Sequence, residues 1–282
     1  MLSLLYCGNR AIFKGVLLSS LSVAMHTDEP LSVHIMTMDL TEENPNFEAI
    51  DARLAEYLES VLKRYNEKSE VVLHDMRTLY LEKLQFGPNA QSKYTPYTLL
   101  RLLSDLVPLP DRILYLDTDT LARADLKDLF SVDLTKQCYA GVIDYLGRVF
   151  IARDYINAGV LLLNLKHIKE TGFFEKCRKT LNAKKYAFPD QDALYHAKGR
   201  HKVLPRRYNE QRKMYKDTAI RHFSKSIRWL PFYHTVNVKP WDIEGLHKRY
   251  KTFEFDDVLS VYEECITELT SLLTDEKGGV SD

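Results

Sequence analysis

Two acids that follow an apolar run, Asp117 and Asp119, are the residues whose type and spacing point most directly to chemistry. Residues 112–116, Arg-Ile-Leu-Tyr-Leu, predict a buried strand that ends at them. Side chains two positions apart in an extended chain lie on the same side, so the two carboxylates repel each other unless a cation lies between them. Such oxygen ligands suit Mg²⁺ or Mn²⁺, often with a diphosphate. A strand that simply ends in turn-favouring aspartates explains the same pattern, and both interpretations stay open.

Two further stretches place polar side chains beside small or helix-starting residues. Asn157 precedes Ala158-Gly159 and a long apolar run, so its amide could meet a polar ligand that approaches the backbone closely. Asp190 and Gln191 follow Pro189, where they either face a site or are ordinary acidic and polar residues of a helix's first turn. An Asx-turn is the alternative interpretation for Asn157.

The region 220–241 supplies an imidazole and a cation. His222 or His234 could complete a Mn²⁺ site with two aspartates, and Lys239 could neutralise a leaving diphosphate. Each histidine taken alone could equally be a partly exposed surface residue.

Strands and helices alternate along the chain, which predicts an α/β sheet covered by helices on both faces. Apolar runs predict strands at 2–7, 31–38, 70–74, 112–116, 139–143, 159–165, 201–204 and 219–223. Helical periodicity predicts helices at 14–25, 48–66, 96–107, 173–182, 191–197 and 255–273. Ligands of open α/β sheets bind outside the carboxyl ends of the strands, where the polar residues above lie.

Composition narrows the functional classes. The 282 residues are 45% hydrophobic and 28% charged, which excludes a disordered chain. With 39 basic and 39 acidic residues the net charge is zero, so nucleic acid is not expected as a partner. Four cysteines without CxxC spacing suggest neither a disulfide scaffold nor a zinc site, and they suit a reducing cytosol.

The charges are unevenly distributed. Residues 198–228 hold 11 Lys/Arg and two acids, whereas residues 253–282 hold nine acids and one Lys. Two interpretations stay open: two solvated faces of opposite sign, or a basic segment that meets an anionic ligand or a phospholipid surface. No basic leader and no apolar run of about 18 residues is visible, so we expect a cytoplasmic protein, at most in peripheral contact with the inner face of the membrane.

These pieces, in this order, resemble glycosyltransferase family 8, the retaining, metal-dependent nucleotide-sugar transferases. The resemblance covers residues 2 to 241. It rests on segments 5–9, 114–119, 155–162 and 190–192, on Tyr97 and Arg101 in one helix, and on the ending Lys239-Pro240-Trp241. It implies a GT-A fold, which is a Rossmann-like mixed sheet, with a transferase domain at 1–245 and a C-terminal helix and flexible tail at 246–282.

The resemblance also implies roles for individual residues. Asp117, Thr118 and Asp119 match the Asp-x-Asp segment that binds Mn²⁺ (or Mg²⁺) and the donor diphosphate. A histidine of the last motif is the third metal ligand, and its strand context favours His222 over His234. Gln191, Asp190 and Asn157 are the implied catalytic residues. The implied donor-binding residues are Tyr6 and Asn9 for the uridine, Arg101, Asp144, Asn157, Ala158, Asp190 and Gln191 for the sugar, and Lys239 for the diphosphate.

The implied reaction is the retaining transfer of glucose or galactose from a UDP-sugar to a saccharide or lipid-linked acceptor in cell-surface polysaccharide synthesis. Two alternatives remain. A non-catalytic sugar-nucleotide-binding protein is favoured by the irregular spacing of 234–239, where Asn237 stands in place of a glycine. A sugar nucleotidyltransferase normally carries a Gly-rich basic loop after its first strand, and residues 8–14 are not Gly-rich.

Overall fold

A mixed seven-stranded sheet forms the centre of the computed structural model, which describes residues 1–90, 95–228 and 234–275 (the side chains of 226–228, 234 and 275 excepted). Its strand order is β3-β2-β1-β4-β7-β6-β8. The strands of the chain are β1 Leu2–Cys7, β2 Leu31–Thr37, β3 Glu70–Asp75, β4 Arg112–Leu116, β5 Thr120–Ala122, β6 Tyr139–Ile143, β7 Ile156–Asn164, β8 His201–Val203, β9 Ile220–His222, β10 Ser226–Arg228 and β11 His234–Val236. β7 runs antiparallel to both β4 and β6, which confirms the predicted mixed sheet.

Helices connect these strands. They are α1 Phe13–Ala24, α2 Ala52–Lys63, α3 Arg77–Lys83, α4 Lys127–Phe130, α5 Gly147–Phe150, α6 Leu165–Thr171, α7 Phe173–Ala183, α8 Pro189–His196, α9 Ile243–Gly245 and α10 Asp256–Asp275. Residues Arg10–Ile12, Pro96–Leu106 and Arg206–Tyr208 are 3₁₀ helices, and Leu246–Tyr250 is a π-helix. None of the described helices has both the length and the apolar character that crossing a bilayer requires.

The sheet is buried on both faces. Leu4 and Tyr6 of β1 pack with α1, α2 and α10 in one core, whereas Leu5 packs with the 3₁₀ helix Pro96–Leu106, α7 and α8 in the other. Because strands of a parallel sheet covered on both faces need apolar residues at nearly every position, the continuous apolar run of residues 2–6 predicts this layout. The expectation of helices on both faces is confirmed.

β7 begins three residues before its predicted start. Ile156 pairs with Ile143 across the β6–β7 ladder, which is irregular between Gly141 and Ile143. Asn157 and Ala158 therefore lie inside a strand. The Gly159 N–H still donates to Asn157 Oδ1 over 3.0 Å, which is the hydrogen bond of the Asx-turn considered for Asn157. The strand also passes the end of β4, where the Asp117 N–H donates to the Gly159 carbonyl over 2.8 Å.

A small antiparallel ladder brings a distant residue to this end of the sheet. Strand β5, which follows Asp119 directly, pairs with β9 so that Thr120 faces His222. The pairing spans about a hundred positions of sequence, and it places the imidazole beside the two acids.

The C-terminal helix shares the first core. Phe255, Val258, Leu259 and Tyr262 are all buried there with residues of α1 and α2. Residues 276–282, where the flexible tail is predicted, lie outside the described residues. The boundary between 245 and 246 stays a prediction.

Candidate active site

Three donor atoms converge where β4 ends. His222 Nε2 lies 3.2 Å from Asp119 Oδ1 and 3.6 Å from Asp117 Oδ2. Among the described residues this is the one grouping of three such ligand atoms within 4.8 Å of one another. Two carboxylate oxygens and one imidazole nitrogen form a mixed donor set that fits Mn²⁺ well, because imidazole adds a softer ligand to the oxygens. The predicted residues therefore fit the predicted metal.

Asp117 divides its two oxygens between the protein and the cluster. Its Oδ1 accepts from Arg101 Nη2 over 3.0 Å and from the Tyr115 hydroxyl over 2.6 Å. Its Oδ2 faces His222, 3.6 Å from Nε2. Arg101 and Tyr115 thus hold the carboxylate so that one oxygen remains for a ligand.

Arg101 links Asp117 to Asp190. The guanidinium is 3% exposed, donates to the Ala158 carbonyl over 2.6 Å, and lies 3.3 Å from Asp190 Oδ2. Burial alone favours the neutral acid and raises the pKa of Asp190, an effect that the charge of Arg101 opposes and that of Asp117 reinforces. The buried guanidinium of Arg101 therefore forms ion pairs with both Asp117 and Asp190.

Lys239 reaches the cluster despite the irregular spacing of its motif. Its Nζ lies 2.6 Å from Asp119 Oδ2. Burial of Asp119 favours the neutral acid, but His222 and Lys239 outweigh burial and hold its pKa well below the usual range. The backbone of His234 pairs in β11, and its side chain lies outside the described residues. His222 is the histidine that the structure brings to the acids.

The other nitrogen of His222 has a partner that the sequence did not reveal. Asn209, which is 1% exposed, presents its Oδ1 3.2 Å from His222 Nδ1. Its Nδ2 donates to Asn157 Oδ1 over 2.8 Å. Asn209 is the first of several polar residues that follow a short 3₁₀ helix, and no local pattern distinguishes it from them. Only the packing of 209 against β7 gives it this position.

Asp144 collects the polar groups on the far side of Asn157. Its Oδ2 accepts from Asn157 Nδ2 over 2.8 Å and from Gln191 Nε2 over 3.2 Å. Its Oδ1 accepts the backbone N–H groups of Leu146 and Gly147. Gln191 is fixed at its other end, where Oε1 accepts from the Ala158 N–H over 2.9 Å. The predicted residues Asp144, Asn157, Ala158 and Gln191 therefore form one network.

Gly159 is small for a steric reason. A Cβ at this position would collide with the His222 ring and lie 2.8 Å from Asp117 Oδ2. The small residues Ala158 and Gly159 thus let the strand approach His222 and Asp117 closely. The sequence predicts a close approach here too, but of a ligand rather than of these side chains.

Three predicted residues are not brought into these contacts. Tyr6 is fully buried, and its hydroxyl donates to Ser19 over 3.0 Å. Asn9 donates to the Asn46 carbonyl instead. Thr118 packs beside Gly15 of α1. The alternation of β1 places Cys7 on the opposite side from Tyr6, within electrostatic reach of Arg101 and Asp117, and burial raises the pKa of its thiol to about 12.

The basic segment 198–228 is not a uniform charged face. Arg206 pairs with Glu210 and Asp217, each over 2.8 Å. Arg221 is buried and donates to backbone carbonyls, including that of Arg212. Part of the charge predicted to meet an external anion is therefore used inside the protein.

Comparison with known proteins gives a consistent result. The model of glycosyl transferase family 8 matches residues 2–245. The lipopolysaccharide 1,2-glucosyltransferase of Escherichia coli K12 is 29% identical over 162 residues, 51% of this chain and 48% of that protein. The chain spans about half the length of the curated relatives it matches.

Solved structures agree in fold. The galactosyltransferase LgtC in complex with donor and acceptor sugar analogues superposes with a TM-score of 0.64 at 18% identity, covering 93% of this chain and 96% of that one. The glycosyltransferase GlyE of Streptococcus pneumoniae superposes with a TM-score of 0.60 at 20% identity, covering 96% and 64%. The fold is the predicted GT-A arrangement. Because the family match extends over most of its length, the chain belongs to glycosyltransferase family 8.

Proposed function

We propose that this protein transfers a hexose from a UDP-hexose to a saccharide or lipid-linked acceptor, with retention of anomeric configuration. The observation that carries the proposal is the convergence of Asp117, Asp119 and His222 at the carboxyl end of β4, in a chain of family 8. The family favours a transferase over a nucleotidyltransferase. The position of Lys239 against Asp119 supports the transferase over a non-catalytic protein, despite the irregular spacing of its motif.

Asp117, Asp119 and His222 hold Mn²⁺ (or Mg²⁺) in this proposal. The bound cation supplies Lewis-acid neutralisation of the charge that grows on the diphosphate as the sugar leaves. Lys239 is one-third exposed and lies at the Asp119 carboxylate, so its ammonium is available to bind the donor diphosphate as a second positive group.

Asp144, Asn157, Asp190 and Gln191 form the proposed sugar pocket. Carboxylates and amides that already share hydrogen bonds are rigid partners for sugar hydroxyls, since each offers lone pairs or N–H groups in fixed directions. Arg101 keeps Asp190 beside this network through their 3.3 Å ion pair. The pocket adjoins the proposed metal ligands, because Arg101 contacts both Asp190 and Asp117.

The arrangement of Gln191 bears on how retention arises. Both ends of its amide are occupied, by the Ala158 N–H and by Asp144. An amide oxygen is a poor nucleophile, and one that already accepts a hydrogen bond is poorer still. Attack of the acceptor on the same face that the diphosphate leaves, with the leaving phosphate taking the acceptor proton, fits this geometry better than a covalent intermediate on Gln191.

The acceptor proposal rests on relatives. An Escherichia coli relative is named for glucosyl transfer to lipopolysaccharide, and LgtC for galactosyl transfer. We therefore place the reaction in cell-surface polysaccharide synthesis, with glucose or galactose as the donor sugar. The four cysteines are free, which suits a reducing cytoplasm. The proposed transferase domain, 1–245, ends where the family match ends.

Peripheral membrane contact is part of the proposal. The tip of the segment after Asp144, formed by the end of helix α5 and the residue that follows it, exposes Val149, Phe150 and Ile151 by 69%, 69% and 43%. Arg148 and Arg212 stack on Tyr145 at its base, and within the described residues neither is paired with an acid. An apolar tip beside free arginines suits an anionic bilayer.

Sedimentation with phosphatidylglycerol vesicles tests this contact. Phe150→Asp is expected to weaken binding about tenfold, because it removes the largest apolar group of the tip. Phe86→Asp, which changes a side chain that is 89% exposed elsewhere, is the matched control. Absence of wild-type binding would count against membrane contact, and binding that salt does not weaken would count against the part assigned to the arginines.

The function itself is tested by UDP release with Mn²⁺ from UDP-glucose, UDP-galactose, UDP-N-acetylglucosamine and UDP-glucuronate, with EDTA as control. The expected result is metal-dependent release from one of the first two donors, and an α-anomeric product by NMR. Release of pyrophosphate from UTP and sugar phosphate, or UDP binding without any turnover even when saccharide acceptors are supplied, would contradict the proposal.

A further inference from the structure

A single line of hydrogen bonds runs from Asp144 to His222 through two buried amides. The links are Asp144 Oδ2 to Asn157 Nδ2 at 2.8 Å, Asn157 Oδ1 to Asn209 Nδ2 at 2.8 Å, and Asn209 Oδ1 to His222 Nδ1 at 3.2 Å. Asn209 and His222 are buried, and so is Asn157, so bulk water does not compete for these groups.

The direction of this line is determined at the Asp144 end. Four N–H groups donate to the Asp144 carboxylate, those of Leu146, Gly147, Asn157 and Gln191. A carboxylate has no proton to give, so the Asn157 NH₂ must be the donor and its oxygen must face Asn209. The Gly159 N–H also donates to that oxygen over 3.0 Å, which independently fixes the amide orientation.

The same logic continues to the histidine. Asn157 Oδ1 can only accept, so Asn209 presents its NH₂ to it and its oxygen to His222. An amide oxygen accepts, so Nδ1 carries a proton, and the neutral imidazole that could bind a metal has its lone pair on Nε2. Nε2 is the atom that faces Asp117 and Asp119.

We propose that Asn209 is a positioning residue and that Asp144, three hydrogen bonds away, sets the tautomer in which His222 can bind a metal. The proposal rests on the metal role given to His222 above. Outer hydrogen bonds to a ligating imidazole fix its ring and tautomer and strengthen it as a ligand. Because Gln191 shares Asp144, the sugar pocket and the metal site are coupled through one carboxylate.

Asp144→Asn is the sharpest test, since it changes no atom that touches His222. The Leu146 and Gly147 N–H groups still require an oxygen at one end of the new amide. Its NH₂ then points at the Asn157 NH₂, and the line must reverse or break. Reversal moves the imidazole proton to Nε2, where it blocks metal binding.

Two readouts on the full chain test the proposal. With ¹⁵N-histidine labelling, metal-free wild type should show His222 protonated at Nδ1, identified by the signal missing in His222→Gln. Asp144→Asn and Asn209→Ala should lose that tautomer preference. Mn²⁺ affinity, measured by the EPR signal of free Mn²⁺, should fall about 10- to 100-fold in Asn209→Ala and about tenfold in Asp144→Asn.

Asn182→Ala is the matched control, because Asn182 is exposed and donates only to the Lys83 carbonyl. It should change neither readout. A wild-type His222 without a proton on Nδ1, or Asp144→Asn with unaltered tautomer and Mn²⁺ affinity, would overturn the proposal. If the tautomers behave as expected but wild type binds no Mn²⁺, the metal role of His222 is wrong, whereas the line of hydrogen bonds that sets its tautomer is confirmed. If Asn209→Ala is unfolded, Asp144→Asn decides alone.

Discussion

Two of the groupings of imidazole with carboxylate among the described residues are built differently. In the active-site cluster, Asp117 and Asp119 point two oxygens at one nitrogen of His222. A second cluster, which we call the edge cluster, consists of Ser32 and His34 of β2 with Glu70 and His74 of β3. There His34 Nδ1 lies 3.0 Å from His74 Nε2, and the Ser32 hydroxyl lies 3.1 Å from His34 Nε2 and donates to Glu70 over 2.7 Å.

The difference lies in where the residues sit on the sheet. The edge cluster lies within two paired strands, so its side chains are parallel neighbours and satisfy one another. Both nitrogens of His34 have protein partners. The active-site residues lie at or beyond the ends of β4 and β9, where the chain turns and side chains converge from different directions. Convergence at strand ends, rather than the residue types, makes a ligand site.

Removing the acids of each cluster gives the largest expected contrast. Asp117→Asn with Asp119→Asn should lower transfer about a thousandfold, since neutralising the leaving diphosphate through a metal contributes several kcal/mol. Glu70→Gln should leave transfer unchanged. The measurement is UDP release with Mn²⁺, after circular dichroism confirms that both variants fold. Near-normal transfer in the folded double variant would contradict the account.

Crowding the active-site cluster should come next in effect. In Gly159→Ala the new methyl meets the His222 ring, so one of the ligands must move. We expect Mn²⁺ affinity to fall about 10- to 100-fold, as for loss of a ligand's support. Gly87→Ala, where the new methyl meets only the far end of the Asn182 side chain and a backbone carbonyl, is the control. Equal affinities in both variants would show that Gly159 has no part in the site.

The edge cluster is expected to affect the pH dependence of the free energy of unfolding rather than the transferase activity. Burial, and then the facing His74, lower the pKa of His34 from 6.5 to about 4, although Glu70 opposes them. The unfolded chain therefore takes up this proton below pH 6.5, whereas the folded chain takes it up only near pH 4. The contribution of His34 to the free energy of unfolding is fully present above pH 6.5. The free energy of unfolding should decrease by about 2 kcal/mol as the pH falls towards 4.

His34→Gln should flatten this pH dependence, because glutamine keeps hydrogen-bonding groups and does not titrate. Urea denaturation at pH 7 and pH 5 measures it. A slope that the substitution leaves unaltered would assign the acid sensitivity to other groups.

The smallest expected effect concerns Lys239. Lys239→Met removes the ammonium and keeps most of the side-chain volume. Its side chain is one-third exposed, so we expect KM for the UDP-sugar to rise about fivefold, about 1 kcal/mol, with little change in kcat. Steady-state kinetics over donor concentration give both constants. A large loss of kcat with unchanged KM would move Lys239 from donor binding to the chemical step.

Local sequence patterns predict the strand ends and the polar residues that follow them, whereas Arg101 and Asp144 are implied only by the resemblance to family 8. Asp117 and Asp119 follow a recognisable apolar strand, and the strand-like context favours His222, whose Nε2 lies beside both acids. What local patterns miss depends on long-range packing. Asn209 acquires its role only because it packs against Asn157, and the pairing of β5 with β9 joins distant segments.

The position of Tyr6 shows a second limit. Residues 2–6 are apolar or aromatic at nearly every position, so the run itself does not tell which side chains face which layer. The Tyr6 hydroxyl donates to Ser19, whereas Cys7 lies within electrostatic reach of Arg101 and Asp117. The edge cluster was missed for the related reason that its histidines lie inside strands, where no turn or change of polarity marks them.

A titration of Mn²⁺ in the presence of UDP tests the central claim most directly, with free Mn²⁺ followed by EPR. One binding event is expected in wild type, with its loss in Asp117→Asn with Asp119→Asn and full retention in His34→Gln with His74→Gln. Tight binding that survives in the aspartate variant, or that disappears in the histidine variant of the edge cluster, would contradict the assignment of the metal site to the end of β4.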